Sequence, residues 1–144
     1  MAEKLFSQED RDRLIAAIQA AERETSGEIQ VHIENHCSGD VMDRAAEVFE
    51  TLKMHQTQDR NAVLFYLAVE DHRFAILGDS GINHAVPTDF WENIKDSMLL
   101  EFKKGAFTEG LRIGIEMCGL QLKAHFPYEQ KGDINELPDE ISFG

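Results

Sequence analysis

A chain of 144 residues fits one domain, and at that length folding hides about 68–70% of the unfolded surface, so a core forms without disulfide or metal staples. Its 27 acidic residues outweigh 14 basic ones, for a formal net charge of −13. That balance repels polyanions, which argues against nucleic acid and anionic membranes as partners and favours cations; solubility alone is the other reading of the same charge.

Ser7 followed by Asp10 marks a helix start close to a capping box, and Leu14, Ile15, Ile18 and Ala21 recur at helical spacing. This helix is expected to end near Thr25-Ser26-Gly27, where glycine permits the turn. Residues 28–34 alternate cleanly, so Ile29, Val31 and Ile33 share one face of a strand. Asp40 is placed to cap a second helix with the stripe Val41, Ala45, Val48, Phe49 and Leu52. The polar stretch 54–60 reads as a loop.

Residues 62–69 are apolar at both parities, the mark of a strand buried on both faces. This is the longest apolar run, and it is too short to span a bilayer as a helix. After a turn at Glu70-Asp71, residues 72–77 return as the second arm of a hairpin. Gly78-Asp79-Ser80-Gly81 breaks that strand, and Pro87-Thr88-Asp89 opens a third helix, which Gly105 ends. The fourth helix carries Phe107, Leu111, Ile115, Cys118 and Leu122. Gly110, Gly114 and Gly119 lie inside it, each costing up to about 1 kcal/mol relative to Ala; close helix packing would explain them. Residues 127–144 form an acidic tail in which Ile134, Leu137, Ile141 and Phe143 are too many apolar residues for a solvated segment. Part of the tail is expected to pack back as an extended strap.

The order α-β-α-β-β-α-α predicts an α/β fold, a small mixed β-sheet covered by helices on both faces, over residues 1–126. The first two strands should run parallel through a right-handed crossover, with the third antiparallel to the second. The N-terminus lacks an apolar signal region. Cys37, expected to be exposed, and Cys118, expected in the core, form no CxxC pair. Both features point to a cytoplasmic protein.

The topology carries a geometric expectation. Glu28 begins the first strand, Asp59 precedes the second, Asp79 follows the third, and Asp89 stands at the next helix start. All four belong at one end of the sheet. Gathered carboxylates repel and raise one another's pKa, and a hard divalent cation relieves that repulsion. Ca²⁺ or Mg²⁺ is the expected ligand, with Ser80, Asn83, Thr88 and nearby carbonyls completing the shell. The plainer readings are a helix N-terminal charge for Asp89, a turn residue for Asp79 and a solvated strand residue for Glu28.

The opposite end carries His32, Glu34, His36, Cys37, Asp71 and His72, residue types that suit a transition metal, although without the spacing of a zinc motif. The rule that ligands bind beyond the carboxyl ends of parallel strands favours that end instead. GxSxG, P-loop and GxGxxG signatures are absent from the sequence.

Thr25-Ser26-Gly27-Glu28-Ile29-Gln30-Val31, the run Asn61-Ala62-Val63-Leu64-Phe65-Tyr66-Leu67-Ala68 with Asp71-His72-Arg73, Gly78-Asp79-Ser80-Gly81-Ile82, Thr88-Asp89-Phe90 and Phe107-Thr108-Glu109-Gly110-Leu111 together resemble the TPM domain family in order and spacing across residues 7–125. The resemblance implies an α/β sandwich. It also implies either Ca²⁺-type binding through acids around the hairpin or acid-phosphatase activity like that of thylakoid-lumen members. By motif position it points most directly to Glu28, Asp79 and Asp89. Asp59 stands in Asp59-Arg60-Asn61-Ala62, where the family has an acid-Asn-Gly run. The closing segment 135–144 resembles the tail of soluble, anchorless relatives. Three functions follow as expectations: a divalent-cation-binding module, a metal-assisted phosphatase of phosphate monoesters, and a protein-interaction domain.

Overall fold

The computed structural model describes residues 2–87, 89–127 and 140–144. The elements in chain order are α1 (Ala2–Leu5), α2 (Gln8–Glu22), β1 (Glu28–Glu34), α3 (Val41–Thr51), a 3-10 turn (Met54–Gln56), β2 (Ala62–Ala68), β3 (Arg73–Gly78), α4 (Ser80–Ala85), α5 (Phe90–Phe102), α6 (Phe107–His125) and β4 (Ile141–Phe143). They build a mixed sheet of order β3-β2-β1-β4. β1 is parallel to β2, and β3 runs back antiparallel to β2.

Local signals place the helix starts. Ser7 Oγ accepts from Asp10 N at 3.0 Å while Asp10 Oδ2 accepts from Ser7 N at 3.1 Å, the reciprocal box that satisfies two orphan donors of α2. Asp40 Oδ1 accepts from Met42 N and Asp43 N at 2.8 and 3.1 Å and starts α3. Asp89 occupies the equivalent position of α5 but makes no side-chain capping bond. Gly105, at φ +79°, closes α5 in the left-handed conformation that glycine adopts without strain.

The period of two along the strands divides the interior into two layers. Ile29, Val31, Ile33, Val63, Phe65, Leu67 and Ile76 pack with Leu14 and Ile18 of α2, Ile94 and Met98 of α5, and Leu111, Ile115, Cys118 and Leu122 of α6. On the other face, Ala62, Leu64, Tyr66, Ala68 and Ala75 pack with Ala45, Val48 and Phe49 of α3, Met54 and Cys37. Each fully buried large apolar side chain contributes roughly 1.5–3 kcal/mol, so β2, filled on both sides, anchors the fold.

The structure departs from the sequence expectations at several points. All seven residues of β1 are buried, including Glu28, Gln30, His32 and Glu34; at its carboxyl end the polar parity is enclosed by Arg44 of α3, Tyr66 of β2 and Ser142 of β4. Cys37 is buried rather than exposed. The run after β3 continues into the short helix α4, with Asp79 Oδ1 accepting from Ser80 N. Ile141 and Phe143 belong to β4, parallel to β1; Ile134 and Leu137 lie outside the described residues.

The glycines of α6 mark close approach. A Cβ on Gly114 would stand 2.5 Å from Met98 Sδ and 3.0 Å from a carbon of the Phe65 ring, and one on Gly119 would stand 2.8 Å from the Ala21 Cβ. Gly114→Ala therefore sets an overpacking cost of about 1–3 kcal/mol against a helix-propensity gain of about 1 kcal/mol. The expected result is a net loss of stability, seen as a lower midpoint in urea with unchanged far-UV circular dichroism.

Candidate functional site

The amino-terminal end of β2 and the carboxyl end of β3 meet through the pairing of Val63 with Gly78. One step further, Asp79 N donates to Ala62 O at 3.0 Å and Gly81 N to Arg60 O at 2.9 Å, so α4 starts against the 59–60 loop. A Cβ on Gly81 would overlap the Asp59 carbonyl oxygen and lie 2.7 Å from that of Arg60, so no larger residue lets α4 approach. Trp91, at the start of α5, lies over Gly78 and donates to Asn83 Oδ1 at 3.1 Å, while Asn83 Nδ2 donates to Gly78 O at 2.9 Å.

This frame holds the Asp79 side chain at 6% exposure. Arg60 meets it with both arms of the fork, Nε to Oδ2 at 2.7 Å and Nη2 to Oδ1 at 2.8 Å. Bidentate guanidinium–carboxylate pairs of this kind are strong and directional. The Arg60 side chain itself is 49% exposed, and its backbone sits at φ +51°, a costly region for a residue with a Cβ. An open cavity of about 410 Å³ adjoins the pair, lined by Phe49, Glu50, His55, Arg60, Leu77, Gly78 and Asp79. In the same loop, Thr57 Oγ1 and Asn61 Oδ1 are buried acceptors without a hydrogen-bond partner among the described residues.

Of the other expected ligands, Glu28 lies at this end of the sheet, opposite Ala62, and is buried. Asp59 and Asp89 are exposed, one in the loop before β2 and one at the start of α5. Thr88 lies outside the described residues. The topology thus carries Glu28, Asp59 and Asp79 to one end, with Asp89 on the helix whose first turn covers it. Among the described residues, however, no three His, Cys, Asp or Glu side chains are grouped so as to hold a metal ion. The partner of Asp79 is Arg60, which the antiparallel pairing carries to the start of α4: residue 79 meets Ala62, and Arg60, two residues earlier, meets Gly81 through its backbone and Asp79 through its side chain.

At the other end of the parallel strands a second carboxylate is enclosed. Glu34 accepts from Tyr66 Oη at 2.5 Å and from Arg44 Nε at 2.9 Å, with Arg44 Nη2 on its other oxygen. His32 Nε2 lies 3.0 Å from Glu34 Oε1, and its Nδ1 is 2.8 Å from Ser142 Oγ of β4. The His32 ring stacks on Tyr66 at 6.0 Å. Burial pushes the Glu34 pKa up, but the hydrogen bonds from Arg44, Tyr66 and His32 outweigh it and bring the carboxyl from 4.5 to about 2. For His32, burial dominates and lowers the pKa from its ordinary 6.5. The remaining residues of the rival set form a separate surface turn: His36 Nδ1 is 3.1 Å from Asp71 Oδ1, its Nε2 is 2.7 Å from Glu70, and Cys37 N donates to Asp71 at 2.7 Å.

The sequence matches the family model of the TPM domain over residues 2–120. The chain belongs to the TPM domain family. The NMR structure of the BA42 protein from the psychrophilic bacterium Bizionia argentinensis is 47% identical to this TPM domain, with a TM-score of 0.90 over 96% of this chain and 95% of that one. Two solution NMR structures share the fold alone. The N-terminal domain of a protein from P. gingivalis is 17% identical, with a TM-score of 0.69 over 87% of this chain and 83% of that one. The N-terminal domain of the cg2496 protein from Corynebacterium glutamicum is 16% identical, with a TM-score of 0.62 over 81% and 73%. No curated protein shows significant similarity to the chain. Among the described residues of this TPM domain, no helix is long and apolar enough to cross a membrane.

The Glu34 network gives the domain an acid-sensitive limb. A His whose folded pKa is lowered favours the unfolded state as pH falls below 6.5, and the Glu34 contribution, full above 4.5, is lost as pH falls toward about 2. Tyr66→Phe removes one hydrogen bond to the buried carboxylate, and the expected loss is about 1.5–3 kcal/mol at neutral pH. It should also shift the lower part of the acid limb to higher pH. Urea titrations between pH 2 and 7 measure both effects.

Proposed function

We propose that this TPM domain is a divalent-cation-binding module, with Asp79 as the central ligand and Arg60 as the internal cation that the ion displaces. The observation that carries the reading is the Asp79–Arg60 pair: a 6%-exposed carboxylate, beside an open cavity, is neutralised by an arm that is itself 49% exposed. A buried carboxylate requires a positive partner. The half-exposed arginine has water to withdraw into once an incoming cation takes over the charge of Asp79, which therefore never stands unpaired.

The donor chemistry fits a hard ion. Asp79, Asp59, Glu28 and Asp89 offer carboxylates, and Thr57 Oγ1 and Asn61 Oδ1 offer buried oxygens without a partner among the described residues. An all-oxygen set suits Ca²⁺ or Mg²⁺ rather than a softer transition metal. The net charge of −13 draws cations toward the molecule as a whole. The buried free thiols of Cys37 and Cys118 suit a reducing, cytoplasmic setting.

The test is calorimetric melting with and without millimolar Ca²⁺ or Mg²⁺. At free ion 100-fold above Kd, stabilisation of about 2.7 kcal/mol is expected, which for a domain of this size is a rise of roughly 5–10 °C. Asp79→Asn should abolish the rise, and Arg60→Gln, which removes the competing cation, should enlarge it. An unchanged Tm in all three proteins at millimolar ion would refute the proposal.

A second reading, metal-assisted hydrolysis of phosphate monoesters, is favoured by the presence of Arg60 and His55 on the same cavity. An ion on Asp79 would polarise a phosphoryl oxygen, and the released guanidinium would clamp the phosphoryl group. The two readings part at Arg60→Gln: a binding module gains ion affinity, whereas a phosphatase loses turnover of a phosphate monoester.

A further inference from the structure

The free edge of β1 is closed by a strand of three residues. β4 pairs in parallel as Val31 with Ile141, His32 with Ser142 and Ile33 with Phe143, and Gly144 N donates to Ile33 O at 2.9 Å. Each docked position meets a different chemistry. Ile141 and Phe143 pack against the apolar layer that α2 and α6 form over the sheet. The guanidinium of Arg11 lies 4.8 Å from the centre of the Phe143 ring, a cation–π contact. On the opposite face Ser142 Oγ meets His32 Nδ1 at 2.8 Å. At Gly144 a Cβ would overlap Glu34 Oε1 and stand 2.8 Å from His32 Nε2. That carboxylate cannot swing aside, because Arg44 and Tyr66 hold it. The edge therefore selects apolar, serine, phenylalanine and glycine at four successive places, by packing, hydrogen bonding, ring stacking and exclusion.

We propose that the β1 edge is a strand-docking groove for an apolar–Ser–Phe–Gly segment, held in cis by residues 141–144 and open in trans to the same segment of a second copy of this chain. Main-chain pairing along an exposed sheet edge supplies affinity, and side-chain pockets supply selectivity. An edge left uncovered accepts any compatible strand, and an identical chain presents the identical segment, the condition for domain exchange. Residues 128–139 precede the segment, and a stretch of that length reaches at most about 40 Å, enough to lead to a neighbour. A tethered segment competes at an effective concentration of order millimolar, so the cis form prevails at micromolar protein. The inference concerns the β4 side of the sheet and stands whether or not Asp79 binds a cation.

A fluorescent peptide of residues 134–144 tests it by anisotropy against the chain lacking 140–144. Saturable binding is expected, at least tenfold weaker for peptides carrying Gly144→Val or Phe143→Ala, and at least tenfold weaker for the intact chain, whose own segment competes. Absence of saturable binding to a truncated chain that keeps its far-UV circular dichroism overturns the proposal, as does binding indifferent to Gly144→Val in the peptide. Should truncation unfold the domain, the full chain with Gly144→Val serves as receptor, because Gly144 is exposed and its replacement unseats only the end of the strand; the same two results then decide. Sedimentation equilibrium of the intact chain should show dimer growing toward about millimolar protein, suppressed by Phe143→Ala and by excess peptide. A mass that stays monomeric there excludes the second copy as occupant.

Discussion

Parallel pairing of β1 with β2, Glu28 opposite Ala62 through Glu34 opposite Ala68, sets the position of every charged group discussed above. Because both strands start at the same end, the acids before and after the hairpin arrive at one rim, and the residues that close β1 arrive at the other. A slip by one residue would turn every side chain of β1 to the opposite face. The apolar parity of β1 packs under α2 and α6, and β2 is filled on both faces, so such a slip would expose apolar surface and bury nothing in return.

Glu34 and Asp79 are enclosed at opposite ends of this pair, and the chain neutralises each of them with an arginine from a neighbouring segment. The enclosures differ in depth. Glu34 has Arg44, Tyr66 and His32 around it, and the excess of donors depresses its pKa despite burial. Asp79 has Arg60 and the amide of Ser80, and an open cavity at its side. A network closed on all sides fixes conformation and excludes ligands. At Asp79 a single arginine, itself half exposed, supplies the positive charge. In physical terms the first arrangement is closed by side chains on every oxygen, and the second borders an open cavity.

β4 closes the edge of β1. It touches the deeper network through Ser142 and Gly144 and the apolar layer through Ile141 and Phe143. Three residues suffice because each is read by a distinct contact and because tethering removes most of the entropy of association.

The sequence by itself determined what depends on neighbours within a few residues. The Ser7–Asp10 box and Asp40 start helices, the alternation of 28–34 and the double parity of 62–69 make strands, and Gly105 ends α5. The short crossover made the parallel pairing legible as well, and with it the end of the sheet to which Glu28, Asp59 and Asp79 belong. It could not show that His32 and Glu34 are buried, since a polar parity normally faces water and only the arrival of Arg44 from α3, Tyr66 from β2 and Ser142 from β4 reverses that. Nor could it tell which cation Asp79 keeps, because Arg60 is a loop residue whose side chain reaches Asp79 only once the backbone of α4 docks on the 59–60 loop. Periodicity is a property of the chain and survives in the sequence; a buried charge is settled by its partner, and the partner is chosen only when distant segments meet.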